Sequence, residues 1–90
     1  MAKMISTAAD GDNRVTYTFT VVVEPDEDAW HAYCPALQGY GAATWGASRE
    51  EALRHIHEVV RMVVAELVED GENLPTDVDV SEGTRVSVRA

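Results

Sequence analysis

With 90 residues, of which 46% are hydrophobic and 26% charged, the chain is long enough for one small globular domain and too short for two. The net charge of −9 arises from 16 acidic and seven basic residues, and the basic residues are scattered singly. Direct binding of nucleic acid by this chain is therefore not expected. The acidic charge either attracts a basic protein partner or only keeps a small protein in solution.

Residues 1–13 are polar, small and rich in turn formers, and they predict a flexible N-terminal arm before a single domain at 14–90. The arm has no apolar segment of the kind that a signal peptide needs. No stretch approaches the roughly 18–20 apolar residues that span a bilayer. We therefore expect a cytoplasmic protein without membrane contact.

The first predicted strand begins at Val15, where "VTYTFTVVVE" alternates apolar residues with threonines. Its end at 21–23 is apolar on both sides, which is typical of a central strand. The acidic "EPDED" that follows predicts a turn with Pro25 at the second position of a type I turn. "AWHAYC" predicts the returning strand of a hairpin, which ends at Pro35 because proline cannot donate a hydrogen bond to a sheet.

After the corner "PALQG", residues 40–45 predict a third strand, and its small residues indicate that another element packs close to it. "SREE" predicts a helix start with a capping box. In that arrangement the Ser48 hydroxyl accepts from the Glu51 amide, and the Glu51 carboxylate accepts from the Ser48 amide. The helix is expected to run from residue 49 to about residue 70, with Gly71 in the left-handed conformation after its end.

One side of the predicted helix is apolar over an arc of roughly 140°, which indicates that it lies on a sheet. The residues on this side are Ala52, Leu53, Ile56, Val59, Val60, Val63, Val64 and Leu67. An acidic connection at 72–83 follows, with Val78 and Val80 as candidate anchors, and "TRVSVRA" predicts a last strand that buries Val86 and Val88.

These elements predict an α+β fold of order β-β-β-α-β, in which one long helix covers one face of a mostly antiparallel four-stranded sheet. A right-handed crossover through the helix would return the last strand parallel to a partner, and the first strand is the favoured partner.

No set of residues predicts catalysis, a metal site or a cofactor. His55 and His57 are two positions apart on the helix and project about 200° from each other. His31 and Cys34 point to opposite faces of a strand, and Cys34 is best explained as a buried small hydrophobic residue. We therefore expect that the protein is not an enzyme.

Three motifs, in this order and at this spacing, resemble the HicB-type antitoxin family. They are the acidic turn at 24–28, the corner "CPALQG" at 34–39 and the helix start "GASREEA" at 46–52. The resemblance covers about residues 15–75. The motif residues expected to shape the fold are Pro35, Gly39, Gly46, Ser48 and Glu51.

This resemblance implies a partial ribonuclease-H-like fold with the fourth strand beside the first. It also implies a prokaryotic antitoxin that binds and blocks a small basic RNA-cleaving toxin of the HicA type, and that self-associates as a dimer or tetramer. Many HicB proteins carry a C-terminal DNA-binding segment. Only seven residues follow Gly83 here, so this chain is not expected to contact DNA directly.

Five residues are candidate partner contacts, chosen for their charge or for the expected exposure of an aromatic ring: Asp26, Asp28, Trp30, Tyr33 and Trp45. The alternative for the aromatic rings, including Tyr40, is that they close the core between sheet and helix. The alternative function is a solitary self-assembling domain with no toxin. A third hypothesis is a nuclease that uses the acids of the turn, but metal-ion cleavage needs acids that converge from separate elements.

Overall fold

A computed structural model describes residues 15–90, and the predicted arm at 1–13 lies outside them. The elements are strand β1 (Thr16–Asp26), strand β2 (Ala29–Tyr33), a 3₁₀ helix (Pro35–Tyr40), strand β3 (Ala43–Gly46), helix α1 (Arg49–Glu69) and strand β4 (Thr84–Arg89). The sheet has the order β3-β2-β1-β4, and all neighbouring strands are antiparallel. The predicted α+β fold, with one long helix on a four-stranded sheet, is confirmed.

Helix α1 packs on one face of the sheet, which we call the helix face. The predicted apolar side of α1 provides five of the buried core residues, and alternate strand residues provide most of the others. On β1 these are Phe19 and Val21, whereas Thr20 and Val22 belong to the opposite, helix-free face by alternation. Thr20 and Val22 are nevertheless only 1% and 4% exposed. β1 is thus the central strand that the apolar run predicted, and it is covered on both faces in its middle.

β4 pairs with β1 in the antiparallel direction, with Thr84 opposite Val21 and Arg89 opposite Thr16. The predicted neighbour is confirmed, but the predicted parallel direction is wrong. That prediction assumed that the last strand begins where the helix ends. Residues 70–83 instead return toward the middle of β1 before β4 begins, and a fourteen-residue connection can extend over about 45 Å.

Asp77 fixes this return connection to the sheet. Its carboxylate accepts hydrogen bonds from the Thr20 amide (2.8 Å) and from the Thr20 hydroxyl (3.0 Å). The chain leaves β2 at Pro35, so the Thr20 amide has no partner strand on that side and the carboxylate replaces one. Val78, one of the two predicted anchors, is 45% exposed, so the prediction that it anchors the connection is wrong.

The turn of the first hairpin consists of Glu27 and Asp28, and Glu27 has a φ of 57°. Pro25 is not in this turn, contrary to the prediction, but lies within β1 opposite Trp30. Because Val15 exchanges both backbone hydrogen bonds with Ala90 of β4, the odd-numbered residues of β1 point their amides toward β4. β4 begins opposite Val21, so the missing amide of Pro25 costs the sheet no hydrogen bond.

The corner "PALQG" forms the 3₁₀ helix, in which Leu37 is fully buried. Tyr40 belongs to this helix, so the predicted start of the third strand at residue 40 is three residues too early. Gly41 ends the 3₁₀ helix with a φ of 80°, a conformation that favours glycine. At Gly39, by contrast, an added Cβ would meet no atom within 4 Å.

Gly46 is where the start of α1 meets the end of β3. A Cβ at this position would lie 2.8 Å from the Cα of Ala52 and 2.9 Å from the carbonyl carbon of Glu51. Real side chains do not approach backbone atoms so closely, so only glycine fits here. The close neighbour of the third strand at this position is the first turn of α1.

The ends of α1 follow the predicted capping pattern with one difference. The Glu51 amide donates to the Ser48 hydroxyl at 3.1 Å, as predicted. The Glu51 carboxylate, however, accepts from the amide of Ala47 and not from that of Ser48. Gly71 has a φ of 73° after the C-cap, as predicted. No helix within residues 15–90 has both the length and the apolar content required to cross a bilayer.

We predict that Asp77→Ala destabilises the fold by about 1–3 kcal/mol, because it leaves the buried amide and hydroxyl of Thr20 without an acceptor. Urea unfolding followed by circular dichroism measures this change. The control is Asp79→Ala, since the Asp79 side chain is 81% exposed and its loss should change the free energy of unfolding by less than about 0.5 kcal/mol. Equal effects of the two substitutions would contradict the role of Asp77.

We also predict that Gly46→Ala destabilises the fold by about 1–3 kcal/mol, because the new methyl group collides with backbone atoms of α1. Gly39→Ala is the matched control and should be tolerated within about 0.5 kcal/mol, because open space surrounds that position. Thermal unfolding of both variants provides the comparison. A Gly46→Ala protein as stable as the parent would show that α1 does not need this close approach.

Candidate functional site

The candidate site is built on the helix-free face of β1, β2 and β3, near the first hairpin. The pairing register places Trp45 of β3 opposite His31 of β2, and His31 opposite Glu24 of β1. These three side chains form a row across three strands, and we call it the ring row. Tyr33 lies next to it on the same face, two residues from His31. Paired antiparallel residues have Cβ atoms about 5 Å apart, so the row spans roughly 10 Å.

The rings of this face contact one another. The His31 ring lies 5.5 Å from the Tyr33 ring with an interplanar angle of 26°, and 4.4 Å from the Trp45 ring with an angle of 41°. His31 and Tyr33 are half-buried, whereas Trp45 remains 50% exposed. The three rings therefore support one another and present a continuous aromatic surface to solvent.

Carboxylates border these rings on the side of the hairpin. Glu24 ends the ring row, and Asp26 lies on the same face two residues further along β1. Asp28 belongs to the turn itself, and all three side chains are exposed. The ion pairs between the described residues lie elsewhere: Arg54–Glu51, Arg61–Glu58 and Arg85–Asp79. The hairpin end of the helix-free face thus combines an aromatic surface with carboxylates. These carboxylates form no ion pair with a basic residue between 15 and 90.

Trp30 is separated from the other candidate contacts. It is paired with Pro25 and Gly46, points to the helix face and packs against the core. The Trp30 ring therefore helps to close the core between sheet and helix, which is the alternative stated for the aromatic rings. Of the five candidate contacts, Tyr33, Trp45 and Asp26 lie on the helix-free face and Asp28 lies in the adjoining turn. A further aromatic residue, Tyr40, is 51% exposed but lies in the 3₁₀ helix.

The histidines and Cys34 lie apart from one another in the described part of the chain. The Nδ1 of His55 donates to the Trp45 carbonyl oxygen (2.7 Å), and the Nε2 of His57 donates to the Ser87 carbonyl oxygen (3.0 Å). Within residues 15–90, no three histidine, cysteine or acidic side chains gather in a geometry that holds an ion. Cys34 is fully buried on the helix face, and desolvation raises the pKa of its thiol, so it stays neutral at pH 7.

An open groove of about 350 Å³ lies at the far end of α1. Its lining consists of Tyr40, Val63, Glu66, Leu67, Asp70 and Glu72. None of the five candidate contacts borders it. The groove and the ring row are therefore two different surfaces, and of the two only the ring row contains a candidate partner contact, Trp45.

Two members of the ring row, His31 and Glu24, are absent from the candidate contacts. The sequence presents His31 as a candidate metal ligand and Glu24 as part of the acidic turn. The signal that identifies them is the alternation of β2, because residues 31 and 33 of one strand share a face. The register of the hairpin then determines which acid faces His31. This register depends on the two-residue turn at 27–28, whereas the predicted turn has Pro25 at its second position.

The chain resembles two proteins of the UPF0150 family. It is 31% identical over 62 residues to a UPF0150 protein of Synechocystis sp., a match that covers 68% of this chain and 76% of that protein. It is 35% identical over 60 residues to a UPF0150 protein of Thermoplasma acidophilum, which covers 66% of this chain and 84% of the relative. No family model matches the chain.

The fold has a counterpart among solved structures. The N-terminal domain of the Burkholderia pseudomallei antitoxin HicB superposes with a TM-score of 0.60 over 80% of this chain and 95% of that domain. The sequence identity is 18%, so this likeness concerns the fold. The two UPF0150 relatives, at 31% and 35% identity, show the family. The chain belongs to the UPF0150 family of HicB-like proteins and has the fold of the HicB N-terminal domain.

Proposed function

We propose that the protein is a HicB-like antitoxin module that binds a small basic RNA-cleaving toxin of the HicA type and blocks it by occlusion. Membership of a HicB-like family supports a toxin–antitoxin role. The observation that carries the proposal is the ring row, an exposed aromatic surface on the sheet face that α1 leaves open, bordered by carboxylates that form no ion pair with another residue of 15–90.

The chemistry of this surface suits a protein partner with positive charge. Tryptophan and tyrosine are enriched where proteins meet, because they bury a large area at a low cost in conformational entropy. Carboxylates around such a centre attract a basic partner and raise the rate of association. A nuclease that binds RNA must present positive charge, so the acidic border of the ring row is complementary to the surface that has to be blocked.

Inhibition of this kind requires contact and no reaction. A protein that occupies the RNA-binding surface of an enzyme needs no nucleophile, metal ion or general base of its own. The buried neutral thiol of Cys34 and the dispersed histidines are consistent with this role. We propose that Tyr33 and Trp45 provide the apolar contact and that Asp26 and Asp28 contribute charge at its edge.

We predict that Trp45→Ala reduces the retention of a co-expressed HicA-type toxin by tenfold or more, since loss of a central aromatic contact typically costs about 2 kcal/mol of binding. Co-purification on an affinity tag, followed by titration calorimetry, measures the loss. Tyr40→Ala is the matched control, because Tyr40 and Trp45 are equally exposed, at 51% and 50%, and Tyr40 lies outside the ring row.

Three results of this experiment distinguish the hypotheses. Selective loss with Trp45→Ala supports the toxin-binding surface. Equal loss with Tyr40→Ala contradicts the choice of the ring row. If no basic toxin is retained and light scattering shows an oligomer that Trp45→Ala converts to a monomer, the same surface serves self-assembly, and the proposed toxin inhibition is wrong.

A further inference from the structure

We propose that the ring row receives one arginine side chain of the basic protein partner, with the guanidinium over His31, its charge paired with Glu24 and its aliphatic stem against Trp45. This inference rests on the proposed function, because it names the chemical group that the same surface recognises. The three residues come from three strands, and the register alone brings them into one line.

The dimensions of the row favour a long side chain. Trp45 and Glu24 are separated by His31, and each step between paired residues is about 5 Å. A side chain that contacts both ends must therefore be extended, flat where it crosses the His31 ring and charged at its end. Among the natural side chains arginine combines these three properties, because a planar guanidinium follows a flexible apolar stem.

The chemistry of the row distinguishes arginine from lysine. A guanidinium stacks on aromatic faces and pairs with a carboxylate through two parallel hydrogen bonds. The ammonium group of lysine is a strongly hydrated point charge and offers no flat face to the rings. Trp45 is half-exposed and Glu24 is exposed, so both groups are available to an incoming side chain.

The charge around the row also decides which partner fits. A second copy of this chain would bring its own Glu24 and Asp26 toward the same carboxylates in a two-fold contact, and like charges that face each other oppose association. A nucleic acid would bring phosphates to the same acids. No ion pair among residues 15–90 involves Glu24 or Asp26. A positively charged protein surface is therefore the complementary occupant.

Chemical-shift mapping tests the inference on the full, isotope-labelled chain. The probes are N-acetyl-arginine-methylamide, its lysine counterpart and its uncharged citrulline counterpart. We expect arginine to shift the resonances of Glu24, His31 and the Trp45 indole, and to bind about threefold or more tightly than either counterpart, since an exposed cation–π contact has about that effect.

Two matched pairs of variants locate the binding. Glu24→Gln and Trp45→Ala should each weaken arginine binding by about threefold or more. Glu69→Gln removes the same charge from an exposed position at the end of α1, and Tyr40→Ala removes an equally exposed ring. Neither control should change the binding. Circular dichroism shows whether each variant is folded as the parent is, and Trp45→Phe provides a milder test of the ring.

Several outcomes would overturn the inference. These are shifts spread over all acidic regions, equal binding of citrulline, equal loss with Glu69→Gln, or no shift up to the solubility limit of the arginine probe. If the toxin is still retained by the parent and lost from Trp45→Ala, such a result rejects the arginine contact and leaves the proposed function intact. If toxin retention also fails, both proposals are wrong.

Discussion

A single helix can cover only one face of a four-stranded sheet, and the rest of this structure follows from that constraint. The apolar side of α1 packs on the helix face so closely that the backbone of its first turn leaves no room for a Cβ at Gly46. Its five fully or nearly buried residues, from Ala52 to Leu67, account for most of the helix contribution to the core. The helix-free face must be covered by other residues of the chain, and they cover only part of it.

The return connection at 70–83 covers the middle of the helix-free face. Asp77 binds both polar groups of Thr20, and Gly83 lies against the Thr20 methyl group. From there the chain enters β4 and runs away from the hairpin, because β4 begins opposite Val21. The hairpin end of the face, where the ring row lies, therefore remains open. The antiparallel direction of β4, which replaces the predicted parallel one, requires this return connection, and the connection reaches only to the level of Val21.

The features that the sequence predicts correctly are those that depend on neighbouring residues. The capping box at Ser48, the aliphatic side of α1 and the alternation of β1 each depend on residues within a few positions of one another. The errors concern features that depend on distant residues. Pro25 looks like a turn residue, but β4 begins only opposite Val21, so the missing amide of Pro25 needs no partner. In the sequence Asp77 resembles the other acids of a polar connection, and only the fold shows that it binds Thr20. The candidate site shows the same division: the sequence identifies Tyr33 and Trp45 as candidate contacts, but only the register places them beside His31 and Glu24.

The two components of the ring row would contribute to binding in different ways. Carboxylates at the hairpin act over a distance and mainly raise the rate at which a basic partner arrives, an effect that salt weakens. Rings act on contact, and their burial mainly slows dissociation. A surface with charge alone would bind any basic protein weakly. A surface with rings alone would promote self-association of the protein through its aromatic patch. Because Glu24 lies in line with His31 and Trp45, a partner gains from both components only if it places its positive charge one side-chain length from its apolar contact. That geometric requirement is how a sheet face without a pocket would select one basic protein among many.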